Sequence, residues 1–229
     1  MGFQQSHYGY SLFTKKAGDD IVVILVYVDD LLITGSNQQL LCSTRSDLKK
    51  RFKMKNLGEL KFFLGIEFAR SKRGILMCQR KYALEIISES GLSGAKPAGT
   101  PLELNQKLTL VEYDNCFKND NTQVDEVLNN PGAYQRLIGR LLYLTMIRHD
   151  IAFVVQVISQ YMHCPKISHM EATLRVVKYI KEAPGLGLFL PAESANQLSA
   201  YCDSDWGACI QTRRSVTWYL VKFGSALIS

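Results

Sequence analysis

No stretch of this 229-residue chain is long and apolar enough for a membrane helix. The longest apolar run, Ile21 to Val28, is stopped by Asp29 and Asp30, whereas a span needs roughly 20 apolar residues. No membrane partner is expected. The opening MGFQQSHYGYS lacks the basic start and apolar stretch of a secretory signal. No two of the cysteines at 42, 78, 116, 164, 202 and 209 have CxxC spacing, so a zinc ribbon is unsupported. With no secretory signal, free thiols are expected rather than disulfides. The nearest metal-like grouping, His163, Cys164 and His169, lacks a fourth ligand at useful spacing. Disorder is not expected either, because 47% hydrophobic and 21% charged residues is an ordinary globular balance.

Charge of one sign is concentrated. The net charge is +6 overall, yet Arg45 to Lys81 alone holds twelve basic residues against three acids. Such a stretch is either the footprint of a polyanion, usually nucleic acid, or a solvated helix face. From Leu102 to Asn130 the balance reverses, with six acids against Lys107 and Lys118.

Along the chain, IVVILVYV (21–28) reads as a buried strand and LLITGS (31–36) as a second, joined in a tight hairpin through Asp29 and Asp30. Residues 37–52 have helical spacing. LKFFLGIEFA (60–69) and GILMCQ (74–79) read as another hairpin, and KYALEIISESGL (81–92) as a helix closed by Gly91. A Pro-containing, then acidic, stretch follows. Three helices come next: one opening near Pro131, one over 150–162 with Asp150 as its N-cap, and one over 169–183. The tail reads as three strands.

The chemistry starts at Tyr27-Val28-Asp29-Asp30. Burying a carboxylate costs several kcal/mol unless it is paired or holds a metal. Two adjacent carboxylates at the tip of an apolar hairpin suit a hard cation such as Mg²⁺. A polar turn between core strands would use the same residues.

The YVDD string resembles the YxDD motif of reverse transcriptases. VILVYVDDLLITGS followed by LGELKFFLGIEF is similar to the copia-type LTR retrotransposon family in particular. The resemblance implies that Asp29 and Asp30 are catalytic metal ligands, with two Mg²⁺ ions in the intact parent enzyme. It also implies that Phe63, Leu64, Gly65, Ile66 and Glu67 lie in a primer grip holding the primer 3′ end. Gln135, Gly139 and Tyr143, at i, i+4 and i+8, resemble a thumb-helix stripe that tracks the minor groove of a primer–template. A mid-helix glycine costs about 1 kcal/mol against alanine, so Gly139 answers either close approach to a duplex or tight helix packing. Arg136, Arg140 and Arg148 are candidates for phosphate contacts or for solvation. The tail, AYCDSDWGACIQTRRSVTWYLVKFG, resembles the opening of a copia-type ribonuclease H domain, implying Asp203 as a metal ligand and Asp205 and Trp206 as structural. Trp218 stands where that family usually has glycine, and its bulk is expected to disturb the local turn or packing.

The expected class is therefore α+β, with an α/β first part. A partial palm covers 1–92, a linker 93–130, a helical thumb 131–185 and truncated ribonuclease H-like strands 195–229. The implied partners are an RNA/DNA primer–template, and dNTP only if a missing N-terminal half is supplied. The family's third polymerase carboxylate lies on an earlier palm strand, and no such strand is expected in the roughly 20 residues before the YVDD strand. The later ribonuclease H ligands are also lacking. The expected function is thus a reverse transcriptase fragment, inactive alone. The alternatives are a noncatalytic nucleic-acid-binding module or a nonfunctional transposon remnant.

Overall fold

The computed structural model describes residues 2–103, 108–116, 125–192, 197–204, 206–207, 213, 215 and 217–228. The chain divides into two compact units, Met1–Phe63 and Leu64–Ser229.

The first unit is an antiparallel sheet of four strands in sequence order: β1 (Gln4–Gln5), β2 (Leu12–Ala17), β3 (Asp20–Tyr27) and β4 (Asp30–Gly35). Helix α1 (Gln38–Arg51) packs on it. Two expectations change here. β1 and β2 precede the YVDD strand, because short antiparallel connections let a meander form where a strand–helix unit would not fit. β3 is not buried on both faces. Val22 and Ile24 are buried with Leu41 and Leu48 of α1, while Val23 and Leu25 between them are half-buried, because α1 covers one face. Gly35 is needed for this packing, since a Cβ there would lie 2.5 Å from the Ile21 carbonyl and 3.3 Å from Leu41. Asn37 caps α1, its side chain accepting from the backbone N–H groups of Gln39 and Leu40 at 2.9 and 3.2 Å. Its amide in turn donates to Asp20 at 2.8 Å.

In the second unit, after the two-residue strand β5 (Phe62–Phe63), β6 (Ile66–Ser71), β7 (Gly74–Cys78) and β8 (Gly187–Pro191) form antiparallel neighbours. Helices α2 (Arg80–Glu89), α4 (Pro131–Leu144), α5 (Ala152–Ser159) and α6 (Ile167–Glu182) share one core of Ile86, Tyr134, Ile138, Leu141, Ile158, Val176 and neighbouring residues. On α4 the buried set is Tyr134, Ile138, Leu141 and Leu144, the spacing of one helical face. β9 (Leu198–Ser204), β10 (Thr217–Phe223) and β11 (Ala226–Leu227) form a separate sheet.

Asp150 does not cap α5 with its side chain. It lies inside a 3-10 turn (His149–Ile151) and takes a bidentate ion pair from Arg148, with both N···O distances 2.8 Å. Arg148 is only 2% exposed and also donates to the Ala183 carbonyl. It is therefore neither solvated nor free for phosphate.

The acidic stretch before α4 is tied down at several points. Helix α3 (Val111–Cys116) lies within it, and Val127 bridges Lys166. The Lys166 side chain, 2% exposed, pairs with Asp114 at 2.5 Å and Asp125 at 3.2 Å and donates to Thr109 at 3.1 Å. Asp125 also accepts from the Ser168 hydroxyl at 2.6 Å and from the Ser168 N–H at 3.2 Å. Beside this cluster His169, fully buried, accepts from the Lys166 N–H at Nδ1, with its Nε2 3.1 Å from the Thr109 carbonyl. Its ring stacks on Tyr161 at 4.0 Å.

Candidate functional site

The β3–β4 hairpin places the YVDD residues at an exposed tip. Tyr27 pairs with Asp30, so the two connecting residues are Val28 and Asp29, and Asp30 opens β4. The sequence pattern places both aspartates in the turn, but the ladder runs one pair further. Val28 takes φ +49°, a conformation that β-branched residues rarely adopt. Held strain of this kind clusters at functional sites. Asp29 and Asp30 are both exposed. Among the described residues neither carboxylate has a hydrogen-bond or ion-pair partner within the protein.

Two oxygen-donor side chains at one tip fit part of a Mg²⁺ coordination shell. They do not complete one. Among the described residues no group of three His, Cys, Asp or Glu side chains is placed to hold a metal. β2, the strand beside β3, carries Lys15 and Lys16 and no acid. His163, Cys164 and His169 form no such site either, because both ring nitrogens of His169 face backbone groups. Cys42, Cys78, Cys116, Cys164 and Cys202 are free thiols, as expected, and Cys209 lies outside the described residues.

In the second unit the structure brings together Leu64, Gly65 and Tyr143. Leu64 and Gly65, between β5 and β6, have φ +51° and +71°. Two consecutive left-handed residues make a tight connection of the I′ kind. The Tyr143 hydroxyl of α4 donates to the Leu64 carbonyl, and a Cβ at Gly65 would stand 3.6 Å from the Tyr143 ring. Gln135, also on α4, donates to the Met162 carbonyl at 2.9 Å.

Between them Gly139 is exposed, and a Cβ built on it meets nothing within 4 Å. Tight helix packing is therefore not what calls for glycine there. Gly139→Ala should raise the unfolding free energy of the second unit by the helix-propensity difference, about 1 kcal/mol. If Gly139 admits a duplex backbone, the same variant should weaken primer–template binding. Denaturant unfolding and a binding titration on one preparation check both signs. A gain in stability with unchanged binding would remove Gly139 from the interface.

Of the three arginines, Arg136 is exposed, while Arg140 pairs with Glu89 and lies 5.1 Å over the Tyr82 ring. Tyr82, which sequence reasoning did not single out, meets Tyr143 edge-to-face at 5.3 Å.

Asp203 lies on β9, exposed, opposite Trp218 of β10. The ladder continues through this pair from Thr217–Ser204 to Phe223–Leu198, so the bulk of Trp218 leaves the strand pairing intact. Trp206 is fully exposed, and Asp205 lies outside the described residues.

Residues 1–104, which contain the YVDD hairpin, match the family model for reverse transcriptase (RNA-dependent DNA polymerase). The whole chain is 36% identical to part of the retrovirus-related Pol polyprotein from transposon RE1 of Arabidopsis thaliana, covering 15% of that protein. It is 32% identical over 95% of its length to the Pol polyprotein from transposon TNT 1-94 of Nicotiana tabacum, covering 16% of it. An uncharacterized mitochondrial protein of Arabidopsis thaliana is 35% identical over 90% of the chain and 80% of its own length. The chain belongs to the copia-type Pol family of reverse transcriptases. It spans about 15% of the length of the RE1 polyprotein. No solved structure matches it.

Proposed function

We propose that this chain is the part of a copia-type reverse transcriptase that holds the primer–template and supplies two of the polymerase carboxylates. In this reading residues 1–92 are palm, 93–130 a connecting segment, 131–185 thumb and 195–229 the start of a ribonuclease H domain. The observation that carries it is the pair Asp29 and Asp30, exposed and unpartnered at a strained hairpin tip. Carboxylates in that state are available to a cation brought in with a phosphate substrate. In the complete enzyme a pair of Mg²⁺ ions supplies the charge stabilisation for nucleotidyl transfer. Among the described residues no third carboxylate stands beside Asp29 and Asp30, so no turnover is assigned to these residues alone. Asp203 is the corresponding candidate ligand of the ribonuclease H part, and one aspartate does not by itself hold two metal ions.

What these residues do by themselves is bind. In the first unit Arg45, Lys49, Arg51, Lys53 and Lys55 have no carboxylate partner among the described residues; only Lys50 is paired, with Asp47 at 3.4 Å. Free cations of this density suit phosphates. The Leu64–Gly65 turn and the α4 stripe of Gln135 and Gly139 would meet the duplex. Affinity for a primer–template should fall steeply with salt. If six phosphates are neutralised, the loss between 50 and 200 mM salt is about 10³-fold. Fluorescence anisotropy of a labelled primer–template across that range measures it, and salt-independent binding would sink the proposal. Primer extension with Mg²⁺ and dNTPs should appear only on adding a complementing N-terminal half, and should vanish with Asp29→Ala or Asp30→Ala. Binding that survives both substitutions with no extension under any complementation would instead favour a noncatalytic nucleic-acid-binding module.

A further inference from the structure

The α4 stripe is not uniform. Its middle, Gly139, is bare, whereas Tyr143 at its end spends its hydroxyl on the Leu64 carbonyl. That carbonyl belongs to a two-residue connection with both residues left-handed, where leucine is intrinsically disfavoured. A turn of that kind keeps one conformation only when its surroundings over-determine it. Tyr143 is placed to do so. Its hydroxyl fixes the carbonyl, and its ring lies against the open side of Gly65, where a Cβ would be in van der Waals contact.

The tyrosine is itself held. Tyr82 of α2 meets its ring edge-to-face at 5.3 Å. Arg140, one turn earlier on α4, lies over the other ring at 5.1 Å and is anchored by Glu89 and by Glu85 at 3.9 Å. The Tyr82 hydroxyl donates to the Arg140 carbonyl at 3.4 Å. The turn, α2 and α4 are thereby keyed into one piece.

We propose that Tyr143, braced by Tyr82 and Arg140, is a positioning residue that locks the Leu64–Gly65 turn to α4, so that a primer 3′ end held by the turn stays in register with the duplex lying along the helix. This rests on the primer–template reading above. It adds a coupling that the stripe alone does not imply. A side chain that merely touched the duplex would contribute equally to blunt and recessed ends. A lock on the turn contributes only where a 3′ terminus is present.

The experiment compares Tyr143→Phe, which keeps the ring and removes the hydroxyl, with the unsubstituted chain. The probes are a blunt duplex and a recessed primer–template of equal length, and amide hydrogen exchange follows Gly65 and Ile66 without nucleic acid. The unsubstituted chain should prefer the recessed end. Tyr143→Phe should reduce that preference, the ratio of recessed-end to blunt-duplex affinity, about fivefold, the loss of one hydrogen bond. Exchange at Gly65 and Ile66 should quicken by a similar factor. Tyr82→Leu, which removes the brace and leaves Tyr143 in place, should move both readouts in the same direction. A preference that survives Tyr143→Phe overturns the proposal, as does exchange that stays as slow as before. If the unsubstituted chain binds neither probe, the primer–template reading fails and the positioning role falls with it, while the exchange data still report whether Tyr143 holds the turn.

Discussion

Replacing Lys166 with alanine is expected to destabilise the second unit by about 3 kcal/mol, the lower end of the cost of breaking a buried ion pair. Lys166 is 2% exposed and bridges Asp114 and Asp125, which are themselves about one-third exposed. Removing the cation leaves two carboxylates facing each other beside a buried histidine. Partial access to water is why the lower end applies. The alanine also opens a gap where the lysine stem ran. For a unit of this size the unfolding temperature should fall by roughly 6–12 °C. Lys166→Met restores the apolar volume but not the charge, so it should recover only the packing part. Combining Lys166→Met with Asp114→Asn and Asp125→Asn removes every uncompensated charge and should recover most of the rest. A loss below about 1 kcal/mol for Lys166→Ala would mean that the cluster is not what fastens Thr109, Asp114 and Asp125 to the start of α6.

Acid should begin to destabilise the same unit before ordinary carboxylates titrate. His169 is held at a pKa of about 4, chiefly by burial and then by the Lys166 charge, against opposing pulls from Asp125, the Thr109 carbonyl and Asp114. In the unfolded chain a histidine titrates near 6.5. Between those values the unfolded chain takes up a proton that the folded one refuses, so stability present above pH 6.5 drains away as pH falls towards 4. The gap corresponds to about 3 kcal/mol at pH 4. Asp114 and Asp125 extend the loss. Burial pushes each carboxyl up, but hydrogen bonds outweigh it, from Lys166 and Thr109 for Asp114 and from Ser168 and Lys166 for Asp125. Both end below the usual carboxylate value, so their contribution, present above about pH 4, disappears as pH drops further. Urea midpoints measured from pH 7 to 4 test this. His169→Gln should flatten the slope between pH 6.5 and 4.5. His149, also depressed by burial, adds in the same direction, so His149→Gln is the matching control. A midpoint constant over that range in the unsubstituted chain would refute the assignment.

Several features of the candidate site were legible in the sequence. YVDD between β-branched runs gave the hairpin, because alternation and a polar tip are local signals. The turn itself was misplaced by one residue, since no local rule favours valine at φ +49°. Pro131 announced the start of α4, and Gly91, at φ +69°, closes the region after α2 as expected. The stripe Gln135, Gly139 and Tyr143 was visible as a spacing. Its division into an open glycine and an engaged tyrosine was not. The sequence pattern points to a phosphate or solvent contact for Arg148 and a cap for Asp150. Their pairing is an i, i+2 contact inside a 3-10 turn, which helical periodicity does not display. Tyr82 carried no signal at all, because its role exists only through Tyr143, many residues away.

By itself the sequence determined the family and many of the elements, since strand alternation, helix spacing and motif order are encoded within a few neighbours. Only the tertiary structure decided which charges remain free to act. Lys166 and Asp114 lie 52 residues apart, and Tyr143 and Leu64 lie 79 apart. The fate of a charge or hydroxyl depends on whether water or a partner surrounds it, and partners at such separations are brought together by packing alone. So Arg148, Lys166 and the Tyr143 hydroxyl are consumed within the protein, while Asp29, Asp30 and the bare flank of Gly139 are left facing outward.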